Sequence, residues 1–278
     1  MLVDSHTHLD QYHDDELDEI IARSTTATVA AIFLAGTTVS ASRRTVSLAA
    51  RYRNLFAGVG VHPTEVFSTW NPATFGELRS ILHQSTQIVA ISEIGLDFTV
   101  SPDSFPSQYN AFRHQIGLAK EADLPIIFHS REHSSYQGNH DETLRVLREE
   151  RAWEVGGIMH YFQAPRRVAH QCLDLGFYIS FGKPLLRLEY LQETAKDIPL
   201  TSIVLETDSY PQPFKSRREL WTEPKDVLNV ATKLAEIRGI TIEEVASATT
   251  QNILKLYSKP TRLHLKDMLS QALGTQAC

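Results

Sequence analysis

Leu2-Val3-Asp4-Ser5-His6-Thr7-His8 begins as an apolar run and ends in two histidines two residues apart. In a strand, residues i and i+2 face the same side, so both imidazoles point one way. The same build recurs along the chain. Strand-like runs are read at Leu2–Asp4 with its continuation, Val29–Ala35, Leu55–Val61, Ile88–Glu93, Pro125–His129, Gly156–His160, Phe177–Phe181 and Ile203–Asp208. Amphipathic stretches such as Gln108–Ala122 and Asp141–Arg151 lie between them. Strands alternating with helices imply parallel βαβ units, and eight units favour a closed barrel over an open doubly wound sheet. The length of 278 residues suits one such barrel, which takes roughly 250 residues plus extras. The predicted fold is therefore α/β, a single (β/α)8 TIM-type barrel over residues 1–257 with a helical tail over 258–278 that covers the barrel floor. Near the end, Pro224 can open a helix and Gly239 can close it. Thr241-Ile242-Glu243-Glu244 reads as a capping box.

Composition narrows the partners. The formal charge is −6, so the chain is no generally basic nucleic-acid coat, and a polyanion would need local basic loops or metals to hold it. Two cysteines, Cys172 and Cys278, stand far apart. They make no disulfide framework, and Cys172 reads as a small buried hydrophobe. No apolar run approaches the ~20 residues that span a membrane. The start, Met-Leu-Val-Asp-Ser-His, leaves no room for a signal peptide. The expectation is a cytoplasmic protein without a membrane partner.

Chemistry collects at strand ends. His6 and His8 end the first strand, Glu93 the fourth, His129 the fifth, His160 the sixth and Asp208 the eighth. Barrel active sites sit at this C-terminal rim. Buried carboxylates are costly unless paired or metal-bound. Any one of these residues could be a satisfied core histidine or a helix-capping carboxylate, but six on five strand ends would need repeated coincidence. Four imidazoles and two carboxylates are too many for one tetrahedral ion. They suit two ions about 3.5–4 Å apart. Glu93 is the natural bridge. His6, His8 and Asp208 would hold one ion and His129 and His160 the other. Such ligation suits zinc, manganese, iron or nickel, with magnesium less favoured by ligand type. A water shared by two ions is a nucleophile near neutral pH, with Asp208 to take its proton. Asp208 and Glu93 are thus the catalytic candidates.

These motifs carry a resemblance. Asp4-Ser5-His6-Thr7-His8-Leu9-Asp10, Gly60-Val61-His62-Pro63, Glu93-Ile94-Gly95-Leu96-Asp97, Phe128-His129-Ser130-Arg131 and Leu205-Glu206-Thr207-Asp208 resemble, in order, the motifs of the TatD family. Gly176-Phe177-Tyr178-Ile179-Ser180-Phe181 and Thr249-Thr250-Gln251-Asn252 match as well, and the resemblance runs from Met1 to about Tyr257. It implies an amidohydrolase-like metal-dependent nuclease, with removal of nucleotides from DNA 3′ ends as the activity. It carries His6, His8, Glu93, His129, His160 and Asp208 over as ligands and His62 as a substrate-side residue. The chain departs from the pattern at Thr64, Phe98-Thr99-Val100 and Tyr161, and its Arg131–His140 loop is long. All lie on rim loops that would contact substrate.

On that rim, Arg131 and the run Lys215-Ser216-Arg217-Arg218 are candidates to hold a DNA backbone, single-stranded or at a 3′ end, although a solvated charge run would look the same. Tyr161, Phe162, Tyr210 and Phe214 could stack bases or pack under loops. Asp4 could orient a ligand or sit in a turn. Asp97 could orient Arg131 or a ligand histidine, or cap the following loop. Two other functions stay open: a binuclear hydrolase of C–N or C–O bonds such as a cyclic amide or lactone, and a non-catalytic subunit of a nucleic-acid-processing complex.

Overall fold

All eight expected strands form in the computed structural model, which describes residues 1–133 and 138–274. They are β1 Leu2–Thr7, β2 Val29–Leu34, β3 Leu55–Val59, β4 Ile88–Asp97, β5 Ile126–Arg131, β6 Gly157–Met159, β7 Tyr178–Phe181 and β8 Ile203–Leu205. Each pairs in parallel with the next, in the order β1 to β8. The ring is drawn together between its ends by a parallel bridge, Thr7 with Ser209. The Asp208 N–H donates to the His6 carbonyl at 3.0 Å, and the His8 N–H to the Ser209 carbonyl at 2.8 Å. Asp4 adds a side-chain clamp, accepting from the Thr207 N–H at 2.9 Å and the Thr207 hydroxyl at 2.6 Å. Asp4 therefore ties the first strand to the segment after the last, instead of orienting an imidazole.

Strands buried on both faces read as unbroken apolar runs, because helices cover one side and packed side chains the other. That is why Ile88–Ile91 and Ile126–Phe128 were legible. The helices are α1 Asp14–Thr26, α2 Val39–Arg51, a short α3 Val66–Thr69, α4 Pro72–Ile81, α5 Phe105–Ala122, α6 Asn139–Glu149, α7 Arg166–Asp174, α8 Glu189–Asp197, α9 Val227–Arg238, α10 Ile242–Leu256 and α11 Leu263–Ala272. Local chemistry sets their ends. Asn71 caps α4, accepting from the Ala73 and Thr74 N–H groups, with Pro72 at the first turn. Gly239, at φ 64°, closes α9. Thr241 and Glu244 form the expected capping box of α10. Pro224 opens a single 3-10 turn, Pro224–Asp226, which leads into α9.

The last two helices seal the end of the barrel where the strands begin. Asn252 of α10 donates to the carbonyls of Leu200 and Ile203, ahead of and at the start of β8. The Tyr257 hydroxyl donates to the Val89 carbonyl at 3.0 Å. Arg262, 2% exposed, enters the floor as a charged plug. Its guanidinium donates to the carbonyls of Asp123, Val155 and Leu256 and to the Asp123 carboxylate. Leu265 and Leu269 of α11 are buried beside it. Of the expected tail, residues 275–278, with Cys278, lie outside the described residues, as do 134–137 of the long loop.

Candidate metal centre at the barrel mouth

Glu93 sits where β4 departs from regular pairing. Ser92 pairs with Ile127 and Ile94 with Phe128, so Glu93 is the extra residue of a bulge. A bulge re-aims its side chain, here into the barrel mouth. The strand then continues to Asp97, past the expected end at Glu93. Close approach of β4 and β5 requires Gly95, at φ 147°, since a Cβ there would lie 1.9 Å from the His129 carbonyl oxygen.

Five imidazoles converge on the Glu93 carboxylate. Its Oε1 faces His160 Nε2 at 2.6 Å, His129 Nδ1 at 3.0 Å and His62 Nε2 at 3.3 Å. Its Oε2 faces His6 Nε2 at 3.4 Å and His8 Nε2 at 3.7 Å. Asp208 Oδ1 lies 3.2 Å from His8 Nε2 and 4.0 Å from His6 Nε2. Asp208 holds a left-handed backbone, φ 52°, a conformation uncommon outside glycine and found at functional sites. The six residues expected at five strand ends are thus brought together, with His62 beside them.

A second layer fixes the rings. Asp97 Oδ2 lies 2.9 Å from His129 Nε2, which leaves Nδ1 for Glu93. Asp97 itself accepts from the N–H and hydroxyl of Thr99. His62 Nδ1 accepts from the Thr64 N–H at 3.2 Å and lies 2.7 Å from the Thr64 hydroxyl. Two of the three departures from the family pattern therefore support the site. Glu206, fully buried, accepts from the Tyr161 N–H at 2.5 Å and stands 3.6 Å from His160 Nδ1. The sequence reading gave Glu206 no role, although it shares strand parity with Asp208.

The electrostatics favour bound positive charge. Burial works against both carboxylates, but His160, His62 and His129 hold Glu93 well below the usual range. Burial is likewise outweighed at Asp208, where His8, His160 and His6 hold the carboxyl down at about 2. Burial disfavours a charged His8, yet Asp208, Glu93 and Asp10 push it up to about 9. His6 goes the other way, lowered by burial and by His160. The side-chain nitrogens of His6, Nδ1 of His8 and Nδ1 of His160 are buried without a hydrogen-bond partner. Buried polar atoms normally find partners. Of these nitrogens, His6 Nε2 faces Glu93, and imidazole nitrogens gathered around two carboxylates are the donor set of a divalent transition ion. Among the described residues four groups of ligand atoms are close enough to hold an ion: His6 with His8 and Glu93, Glu93 with His129 and His160, His6 with His160 and Asp208, and His62 with Asp97 and His129; Glu93 belongs to the first two.

The centre lies in a cleft of about 710 Å³. Arg131 lines its mouth and is exposed. The basic run is placed elsewhere. Arg218 is engaged by Glu16 at 2.9 Å and Glu223 at 2.8 Å and lies over the rings of Tyr12 and Trp221. Arg217 faces Glu219 at 3.5 Å, and Lys215 donates to the Leu220 carbonyl. None of the three lines the cleft. Of the rim aromatics, Tyr161 and Tyr210 do, Phe214 does not, and Phe162 is core, packed on Phe181. Tyr190, from α8, lines the cleft and was missed, because it lies on a helix and not at a strand end. Cys172 is buried as expected, which pushes its thiol up to about 12.

Comparison with known proteins gives consistent matches. The family model described as TatD related DNase matches residues 3–258. The chain is 35% identical over 265 residues to a metal-dependent hydrolase of Bacillus subtilis, YabD, covering 92% of this chain and 99% of that protein. It is 30% identical over 247 residues to a protein of Klebsiella pneumoniae named 3′-5′ ssDNA/RNA exonuclease TatD, covering 86% of this chain and 91% of the relative. The crystal structure of the TatD homologue YjjV from Escherichia coli superposes with a TM-score of 0.81 at 27% identity, over 93% of this chain and 98% of that one.

Proposed function

The chain belongs to the TatD-related DNase family, and from that premise we propose that it is a metal-dependent phosphodiesterase that removes nucleotides from the 3′ end of DNA. The observation that carries the reading is the division of Glu93, one oxygen toward His129 and His160, the other toward His6 and His8. In this reading His6, His8 and Asp208 hold one divalent ion and His129 and His160 a second, with Glu93 between. Bound there, such ions supply an acidic water as nucleophile and a Lewis acid for a phosphoryl oxygen.

The chain's own groups do the rest. Asp208, kept ionised by its histidines, accepts a proton from the attacking water at the oxygen that does not face His8. His62 accepts at Nδ1 from the Thr64 N–H, so its Nε2–H, which faces Glu93 at 3.3 Å, is the donor a phosphate or leaving oxygen entering the site would meet. Asp97 holds the ring of His129, and Glu206 stands 3.6 Å behind that of His160. Arg131 pairs with a phosphate that is not cleaved. The Klebsiella relative's name supports a single-stranded substrate and a 3′ start.

The test is a product ladder from metal-loaded protein on single-stranded DNA labelled at the 5′ end. Stepwise shortening that stops with a chelator is expected. Turnover of a lactone or cyclic amide, with no cleavage of DNA, would overturn the proposal in favour of a C–O or C–N hydrolase.

A further inference from the structure

The cleft has two unlike walls. On one side, Thr64, Glu65, Thr99, Arg131 and Glu132 give a polar surface. On the other stand Tyr161, Tyr190 and Tyr210. They come from the segments that follow three successive strands: Tyr161 after β6, Tyr190 from α8 after β7, and Tyr210 after β8. The placement of Tyr161 is built. Its backbone is left-handed, φ 46°, and its N–H is held by the buried Glu206. Its ring lies over Gly182, where a Cβ would stand 3.2 Å from the ring edge. The Tyr190 hydroxyl donates to the Gln163 carbonyl at 3.0 Å, which fixes the ring at the cleft. Tyr190 and Tyr210 are 44% and 36% exposed, so their faces are open to a ligand.

Charge on the cleft is the other half of the argument. Arg131 is the one Lys or Arg among its described lining residues, against Glu65, Glu93, Asp97, Glu132 and Asp208. Of the basic run after β8, Arg218 is held by Glu16 and Glu223, and Lys215 donates to the Leu220 carbonyl. Beyond the ions the site would hold, the described lining thus offers a phosphate backbone one basic side chain, Arg131.

We infer that Tyr161, Tyr190 and Tyr210 are the specificity-determining residues of the cleft, a platform on which unpaired bases stack beside the scissile phosphate. This rests on the phosphodiesterase reading. Aromatic stacking is worth about 1–3 kcal/mol per base and tolerates any sequence. Duplex bases are already stacked and cannot occupy the platform, so the cleft selects single strands by their bases and not by their charge.

The test is binding and turnover of single-stranded oligonucleotides with normal or abasic 3′-terminal nucleotides, at several salt concentrations. Binding of the normal strand is read by quenching of 2-aminopurine at the 3′ end of a phosphorothioate strand, and binding of the abasic strand by its competition with that probe. Tyr161→Asn, Tyr190→Leu and Tyr210→Leu each remove one ring. Asn suits the left-handed backbone at 161, and melting temperatures report folding. Each variant should weaken binding about 5–150-fold, as loss of one stacked base implies. The wild type should lose as much on the abasic strand, and its affinity should fall only shallowly with salt, with a slope near −0.7 for about one phosphate contact. Folded variants that bind and cleave like the wild type, or an abasic strand handled like the normal one, would overturn the inference while leaving the phosphodiesterase intact. A wild type that neither binds nor cleaves any oligonucleotide would overturn both.

Discussion

The two ends of the barrel both bury charge, and they do so in opposite ways. At the floor, Arg262 is 2% exposed, and its donors reach three backbone carbonyls and the Asp123 carboxylate. Protein alone satisfies that charge. At the mouth, Glu93, His6, His8 and His160 are also buried, yet nitrogens of His6, His8 and His160 and one oxygen of Glu206 find no hydrogen-bond partner. Buried polar atoms left open cost about 1–3 kcal/mol each. One of them, His6 Nε2, faces Glu93, where a bound ion would complete the set. The floor is built for stability and the mouth for binding.

The largest effect should come from the mouth. Asp208→Asn keeps shape and suits the left-handed backbone, but removes charge and basicity. Turnover should fall about 10²–10⁴-fold, as for loss of a general base, with little change in melting temperature. Near-wild-type turnover would erase the distinction between the two ends.

The converse holds below. Arg262→Met keeps much of the volume and leaves three carbonyls without their donor. Breaking a buried charged network costs about 3–5 kcal/mol, less here because Asp123 is one-third exposed. Chemical denaturation should show a loss of at least about 2 kcal/mol, while kcat of the folded fraction stays within twofold. A variant that keeps its stability and loses kcat would reverse the assignment.

Asp97→Asn probes the layer behind the mouth. It removes the carboxylate that orients His129 through Nε2. Loss of such support typically costs 10–100-fold in metal affinity, measurable by titrating manganese into metal-free protein. An unchanged affinity would make Asp97 a loop cap for Thr99 and nothing more.

The smallest effect belongs to the rim outside the cleft. Arg217 is 65% exposed and, among the described residues, faces Glu219. Arg217→Ala should shift stability by less than about 0.5 kcal/mol, as for a surface pair, and oligonucleotide affinity by less than twofold. A large loss of affinity would restore the basic run as a backbone contact.

The strands were readable because parallel strands buried on both faces are continuous apolar runs, and the ligands because each interrupts such a run at its end. Helix caps were readable for local reasons, as at Thr241 and Gly239. What escaped depends on distant partners. Nothing near Arg262 announces that it will meet Asp123 and Val155. The run at Lys215–Arg218 looks like a phosphate contact until Glu16 and Glu223, remote or adjacent in sequence, are seen to engage Arg218. Asp4 has the parity of a ligand partner and instead meets Thr207 across the closing seam. Thr64, Thr99 and Tyr161 depart from a family pattern, yet contacts with His62, Asp97 and Glu206 give each a structural place.

The central claim is that Glu93 is shared by two divalent ions. Crystals of the protein grown with manganese and measured for anomalous scattering test it most directly. The account predicts two peaks about 3.5–4 Å apart, one beside His6, His8 and Asp208 and the other beside His129 and His160, with an oxygen of Glu93 on each. A single peak, or a Glu93 side chain turned away from any ion, would contradict it.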